Sequence, residues 1–538
     1  MEITYLGHAG MRVEEHGFRL LMDPWLSRQG AFLGSWFQFP SNHHLDLRRV
    51  LDCEWVTVSH EHMDHMDAWV LSQLPASTRV LIPTYPSPRL RRRLARAGVR
   101  NVVEVPSWQR VRLNDRGDWL TFIPEECPKL HDAGVLVHAG GATLLHCNDA
   151  RLSVAQVRRA CMEAGGRLDV MAVQMSGANW HPICYNYSEE AIRRISAEKR
   201  IGKFKSVARL VGSTSPTLAL PFAGPPCFLD PTLAHHNRWI PEPGRFPDQE
   251  QAATWLARTL KRQTVQYWMP GDRYQPLSGR LERDPRWSDF SYSEIDGYLE
   301  SYAEAHRPDL EQIYAAHPSP GDDFGERFAE HFARLGELNS FFLDRIGMTL
   351  RFDIEGPGGG RFDVQLGPRR VRVDLRGRTR SAQYGFRVES RWLDPVIRGQ
   401  IGWEDLMLSL RFSAWRDPDI FNDYMLMFFK HADAQALAAI EAYETQRNLQ
   451  QERVVVSSPQ GRYEISRYCP HRGQDFSEGG VVEGGTIRCL AHNLQFDLET
   501  GVCLNAVRSD PIVTRRLDDT DDSTGGRNEP VDAGRARA

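Results

Sequence analysis

Val56-Thr57-Val58-Ser59-His60-Glu61-His62-Met63-Asp64-His65 is the stretch that decides the fold. Val56–Ser59 reads as a buried strand, and it runs directly into an H-x-H-x-D-H cluster of three imidazoles and one carboxylate. A lone histidine at a strand end is usually an ordinary packed or solvated side chain. Four ligand-type side chains this close together, directly after an apolar strand, point instead to a metal. His60 and His62 can both reach one ion from a turn, while Asp64 and His65 can serve a second ion or orient a bound water or oxygen.

The pattern extends outward from there. Met1–Gly7, Phe18–Met22 (ending in Asp23-Pro24), Trp55–Ser59 and Val80–Pro83 read as strands, interleaved with helical stretches at Leu90–Ala97 and Val154–Ala164. That order predicts a layered α/β domain running to about residue 290. Two loops in it offer polar groups where ligand-facing side chains often sit. Gln174–Pro182 follows the apolar run Val170–Val173 and carries Ser176, Asn179, Trp180 and His181, while the turn Met269-Pro270-Gly271-Asp272 presents Asp272. Asn179, Trp180, His181 and Asp272 are the expected substrate contacts, with an ordinary polar loop as the alternative.

Residues 1–290 resemble the metallo-β-lactamase superfamily. The likeness is carried by the histidine cluster, Gly7-His8, Leu21-Met22-Asp23-Pro24-Trp25 and Leu144-Leu145-His146-Cys147-Asn148-Asp149. It implies an αββα sandwich and a later acidic metal ligand, here Asp149, whose alternative reading is a helix cap before Ala150. It also implies a third histidine ahead of the strand pair leading to Asp149. His131 is the nearest, with Glu125 and Glu126 as substitutes. At the last ligand position of the superfamily, around Pro221-Phe222-Ala223-Gly224, no histidine stands, and His235 and His236 follow. That departure favours a mononuclear or altered metal site and argues against carrying hydrolase activity over.

The chain has 538 residues, enough for about three or four domains. Lys+Arg 66 against Asp+Glu 70 leaves a net charge of −4, so the overall field gives no reason to expect nucleic acid or an anionic membrane as partner. No apolar run reaches membrane-spanning length, and the nine cysteines are too scattered for a disulfide framework, which together read as a cytoplasmic protein. Residues 291–345 read as a helical segment, from the spacing of Phe324, Phe328, Phe332 and Leu335. Residues 346–435 read as a small α+β domain: alternating runs flank the Gly356–Gly360 turn, and a helix follows at Trp403–Arg411. Its strand pattern resembles a sterol-carrier-type domain. A helix at about Asp433–Gln446 leads into short strands, giving an all-β domain over 436–516, and residues 517–538 are expected to be disordered.

In that last domain, Cys469-Pro470-His471 and Cys489-Leu490-Ala491-His492 place one Cys and one His on each of two turns, with Gly479-Gly480 and Gly484-Gly485 between them. Two Cys and two His can hold zinc. Paired loops of this kind also meet the needs of a [2Fe–2S] centre with thiolates on one iron and imidazoles on the other. The stretch resembles the Rieske family, including Gln495–Gly501 after the second histidine, which implies Cys469, His471, Cys489 and His492 as cluster ligands. Leu490 and Asn493 depart from the proline and glycine common there. Too few residues follow His492 for a catalytic iron domain, so a catalytic site must lie upstream.

A Rieske domain fused to a metallo-β-lactamase-type domain resembles the CMP-N-acetylneuraminate hydroxylase family, with the domain order reversed. The resemblance implies a Rieske-type monooxygenase acting on a polar, nucleotide-sugar or amino-sugar-like small molecule. It would take O2 and electrons from a ferredoxin or small cytochrome and its NAD(P)H reductase. His60, His62 and His65 would hold a non-haem iron with Asp64 or Asp149, and Asp64, His65 and Asp149 form the expected catalytic group. Two alternatives stay open: a zinc hydrolase regulated by a Rieske domain, and a non-enzymatic redox sensor. Electron transfer would need the two domains to approach, within one chain or across the subunits of a homo-oligomer.

Overall fold

The computed structural model describes residues 1–237, 246–368, 370–379, 381–419, 421–446, 452–471, 473–490, 494–506 and 509–517. They form two compact units, one of residues 1–328, 353–360 and 387–414, the other of 329–352, 361–386 and the chain from 415 onward.

The first unit is built on two sheets. One has eight strands in the order Arg280–Glu282, Arg273–Gln275, Glu2–Gly7, Gly10–Glu15, Phe18–Met22, Trp55–Thr57, Arg79–Pro83, Val102–Val105. The other has six, in the order Leu218–Phe222, Val170–Gln174, Ala142–His146, Ala133–Ala139, Trp119–Pro124, Val111–Arg112. Their central strands are nearly unbroken apolar runs because each sheet is covered on both faces. Leu20, Met22, Leu144, Val170 and Ala172 point into the core between the sheets. The alternate residues pack outward: Leu21, Val56 and Val58 under helices Leu47–Leu51, Ala68–Leu71 and Arg89–Arg96, and Leu145, Met171 and Val173 under Val154–Glu163, Glu189–Thr214 and Gln249–Thr259. This is the αββα sandwich that the sequence led us to expect.

Strand register sets where the site is. Met22 pairs with Thr57, His146 with Ala172, and Gln174 with Phe222, all in parallel. The segments that follow these strands therefore leave the sheets at their carboxyl ends, where open α/β sheets bind ligands. They carry Asp23, Ser59–His65, Asn148–Asp149, Ser176–His181 and Ala223–Gly224.

Residues 291–345 hold helices Ile295–Ala305, Arg307–Ala316 and Phe324–Leu335 and most of Ser340–Ile346. Strands Arg370–Asp374, Gly360–Gly367, Met348–Glu355, Tyr384–Glu389 and Phe412–Arg416 form a five-stranded sheet in that order. The helix expected over Trp403–Arg411 stops at Leu408, and Leu410 takes a left-handed φ of 57° that ends it.

In the second unit, Arg453–Ser458, Gly461–Ser466 and Thr514–Leu517 make one three-stranded sheet, and Gly480–Glu483, Thr486–Cys489 and Gln495–Asp497 make another. Leu517, expected to begin a disordered tail, instead ends a strand paired with Arg462. Residues 518–538 lie outside the described residues. Cys503 lies against the apolar cluster of this domain.

Candidate metal centre and iron–sulfur loops

The loop after strand Trp55–Thr57 brings the histidine cluster together. His60 Nε2 stands 2.9 Å from His62 Nδ1, and His60 Nδ1 is 2.8 Å from Ser59 Oγ and 3.3 Å from Asp132 Oδ1. His65 turns the other way. Its Nδ1 is 2.8 Å from Asp23 Oδ2, while its Nε2 faces Asp149 Oδ1 at 3.5 Å and Asp64 Oδ2 at 3.9 Å. Asp64 Oδ2 is 2.9 Å from His8 Nε2.

These side chains sort into groups whose donor atoms lie within 4.8 Å of one another: His60, His62 and Asp149; His8, Asp64 and His65; and Asp23, His60 and His65. Asp23 is already engaged. Its carboxylate accepts from Ser59 N at 2.8 Å, from Ser59 Oγ and from His65 Nδ1, so it fixes the ring orientation of His65. By contrast His65 Nε2, Asp64 Oδ1 and Asp149 Oδ1 are buried without a hydrogen-bond partner. Buried polar atoms are rarely left so, and cations held by these donor groups would give them partners. Imidazoles and carboxylates in this mixture suit a first-row metal, so the donor set fits a metal ion.

Electrostatics prepare His60, Asp64 and Asp149 for a cation. At His65 burial favours the neutral ring, but Asp149 and Asp64 outweigh it and hold the group well above the usual histidine range, so a bound cation would displace its proton. Burial, reinforced by His65 and His62, pushes His60 down to about 3, which keeps its ring neutral and able to ligate. For Asp64, burial works against ionisation, yet His65 and His8 outweigh it and bring the carboxyl down to about 2. Asp149 is likewise held ionised: burial opposes, and His65 dominates.

The site also draws in distant residues. Glu404 Oε2 is 3.1 Å from His62 Nε2 and almost fully buried. Arg93 holds it there by donating to Glu61 O at 2.7 Å and to the Asp405 carboxylate. Asp405 in turn accepts from Gly402 N at 2.7 Å, closing the first turn of helix Trp403–Leu408. His8, Asp23, Asn148 and Ala223 all adopt positive φ, at 51°, 39°, 49° and 55°. Non-glycine residues so placed cost about 1–3 kcal/mol each, and such strain gathers at functional sites.

Several expected site residues are placed differently. His131 joins none of the donor groups and stacks on Tyr85, with ring centroids 5.0 Å apart. Its neighbour Asp132 faces His60 instead, because successive residues entering a strand point to opposite sides. Asp149 is not a helix cap: the helix starts at Val154 and is capped by Ser153, with Gln156 completing the capping box. Asp272 is fully buried and accepts from Met269 N and Asp284 N, each at 2.9 Å, and from Arg283 Nη1 at 2.6 Å. That makes it a turn holder and not a substrate contact. Asn179 and His181 do lie at a strand end, where Lys199 Nζ bonds Asn179 Oδ1 at 3.1 Å and His181 O at 2.7 Å. Trp180, between them, is half-buried. At Gly224, within the stretch expected to correspond to the last ligand position, a Cβ would stand 2.5 Å from Ser176 Cβ, so no side chain fits there.

Sequence reading missed His8 as a donor, and also Asp132, Glu404 and Asp423. A histidine at positive φ in the Gly7-His8-Ala9-Gly10 turn was the one local signal. The other three meet their partners only through tertiary structure.

In the second unit, Cys469 and Cys489 are fully buried in one apolar cluster with Phe476, Ile487 and Phe496. Cys469 N donates to Gln474 O and Cys489 N to Leu494 O, each at 2.8 Å, so both cysteines sit in hydrogen-bonded loops. His471 Nε2 is 2.7 Å from Asp423 Oδ1, which leaves Nδ1 as the ring nitrogen for a metal. His492 lies outside the described residues.

Residues 2–191 match the beta-lactamase superfamily domain, 330–446 the Rv3818-like, SCP2-like domain and 429–515 the Rieske [2Fe-2S] domain. Fold and donor sets thus define an iron–sulfur protein with a second, histidine–carboxylate metal centre. A Rieske 2Fe-2S iron-sulfur protein of Mycolicibacterium smegmatis is 30% identical over 521 residues, covering 94% of this chain and 98% of its own. The chain belongs to this family of Rieske 2Fe-2S iron-sulfur proteins. Cytidine monophosphate-N-acetylneuraminic acid hydroxylase of Pan troglodytes is 26% identical over 458 residues, covering 80% of this chain and 71% of its own. A solved structure of CmlA, a diiron beta-hydroxylase from Streptomyces venezuelae, aligns with 53% of this chain and 54% of its own at 19% identity and a TM-score of 0.35. Among the described residues no helix is long and apolar enough to cross a membrane.

Proposed function

We propose that this chain is a Rieske-dependent non-haem iron oxygenase, using O2 and external electrons to hydroxylate or N-oxygenate a polar, nucleotide-sugar or amino-sugar-like small molecule. One observation carries the reading. A single chain holds the loops of a [2Fe–2S] centre together with a buried histidine–carboxylate donor set. The similarity to a hydroxylase over 80% of the chain supports it.

In this reading Cys469, His471, Cys489 and His492 hold the cluster. His60, His62 and Asp149 bind metal on one side of the upstream site, and His8, Asp64 and His65 on the other. Iron bound there would supply open positions for dioxygen and take up electrons one at a time from the cluster. Asp23 keeps His65 Nε2 turned toward the metal side by accepting from Nδ1, and Glu404 does the same for His62 from its Nε2 side. Asn179, Trp180 and His181 form the substrate-facing loop; Asp272 is left out because its carboxylate is spent on its own turn. A ferredoxin or small cytochrome with an NAD(P)H reductase supplies the electrons. The division into 1–290, 291–345, 346–435 and 436–516, and a cytoplasmic location, belong to the same proposal; six buried cysteine thiols outside the cluster loops support that location.

Metal analysis with electron paramagnetic resonance on anaerobically purified protein tests it. Iron beyond the two atoms of the cluster, together with a reducible Rieske signal, is the expected result. Zinc in the upstream site would assign a hydrolase with a redox regulator, and a cluster with no upstream metal would assign a redox sensor.

A further inference from the structure

Helix Glu189–Thr214 carries Lys199 and Lys203 one turn apart, on the face that meets the carboxyl end of strand Val170–Gln174. Both side chains are half-buried. Their ammonium groups meet only neutral acceptors. Lys199 Nζ bonds Asn179 Oδ1 and His181 O at 3.1 and 2.7 Å, and Lys203 Nζ bonds Gln174 Oε1. Among the described residues no carboxylate comes within ion-pair distance of either, although surface arginines on the same helix do find glutamates, as Arg194 does with Glu198. An ammonium group has three protons to donate, so hydrogen-bonding capacity is left over on both. Ammonium groups held half-buried, with no carboxylate in ion-pair distance, cost free energy that their neutral partners recover only in part.

From this we propose that Lys199 and Lys203 form a subsite for an oxyanion of the substrate, a carboxylate or a phosphate, beside the upstream metal centre. The proposal rests on the oxygenase reading for calling that ligand the substrate. Position supports it. Gln174, which Lys203 bonds, ends a strand whose parallel neighbour Ala142–His146 runs on to Asn148–Asp149, so the lysines stand at the sheet end that carries the metal site. Burial, with the charge of Arg151 added, brings Lys199 down to about 7 and Lys203 down to about 8, so each holds a proton that a bound anion would stabilise. The acceptors on Asn179 and His181 that orient Lys199 also belong to the loop that the oxygenase reading gives to substrate. A half-buried lysine whose neutral partners aim it at a strand end has the marks of a binding residue.

The test is thermal unfolding of the full-length, metal-loaded protein titrated with sodium phosphate or sodium acetate, against sodium chloride at equal ionic strength. A saturable rise in Tm with one or both oxyanions, absent with chloride, is expected, and whichever anion acts distinguishes phosphate from carboxylate. The response should vanish in the double variant Lys199→Met/Lys203→Met, persist in Lys203→Arg, and leave each single Met variant at or above the wild-type Tm in chloride. No oxyanion response in the wild type, an undiminished response in the double variant, or a lower Tm in the single variants would each overturn the proposal, the last by showing that the lysines are structural. Unfolding requires no turnover, so this outcome is separate from the iron content that decides the oxygenase reading.

Discussion

A single oxygen pair, that of Glu404, sets the tautomer of His62. With Nε2–H donated to the carboxylate at 3.1 Å, the Nδ1 lone pair is left to the metal. Glu404→Gln should weaken metal retention by about 10–100-fold, measured by competition with a chelator, while the Rieske signal stays unchanged. His62→Ala, which removes a donor outright, should abolish turnover and also leave that signal intact. What was legible at this scale follows from chain distance. His60, His62, Asp64 and His65 are contiguous, so their chemistry could be read directly. His8, Asp132 and Glu404 come to the same place from separate segments, and nothing in their own neighbourhoods announces a metal. His131, expected as the third histidine with Glu125 and Glu126 as substitutes, stacks on Tyr85 while its neighbour Asp132 meets His60, a difference of side-chain direction that residue type does not reveal.

Helix Glu189–Thr214 makes a pH-dependent statement. Lys199 falls to about 7 in the fold, mainly through burial, against about 10.4 in the unfolded chain. The folded state thus resists protonation, so the penalty is complete below about pH 7 and fades as pH rises toward 10. Lys199→Met should therefore stabilise the protein at pH 6 in chloride, and the gain over wild type should shrink steadily by pH 9 in a Tm series. Helix Asp423–His431 places Asp423 beside His471, where its negative charge favours the oxidised cluster. Asp423→Asn should raise the reduction potential, as read by redox titration of the Rieske signal. Some elements were legible: strand Phe18–Met22 has the expected bounds, and the helix expected over Val154–Ala164 runs from Val154 to Glu163. Trp403–Leu408 was overextended because a left-handed residue at Leu410 leaves no mark in hydrophobic spacing.

Across the whole molecule, the fusion of an electron source with its consumer makes one substitution diagnostic. Cys489→Ser should remove the Rieske signal and stop reductant-dependent turnover, while the upstream metal content stays as in the wild type. Full activity in that variant would rule out electron relay as the role of the cluster. The reach of Glu404 back to His62 has a further consequence, in time. Glu404 is translated long after His62, and at about 5–20 residues per second the delay is on the order of tens of seconds. Throughout that interval the nascent αββα sandwich presents its histidines with one ring still unanchored. Metal selection is therefore expected to be least strict on the ribosome, and a chain truncated before residue 403 should capture metals that the finished protein rejects.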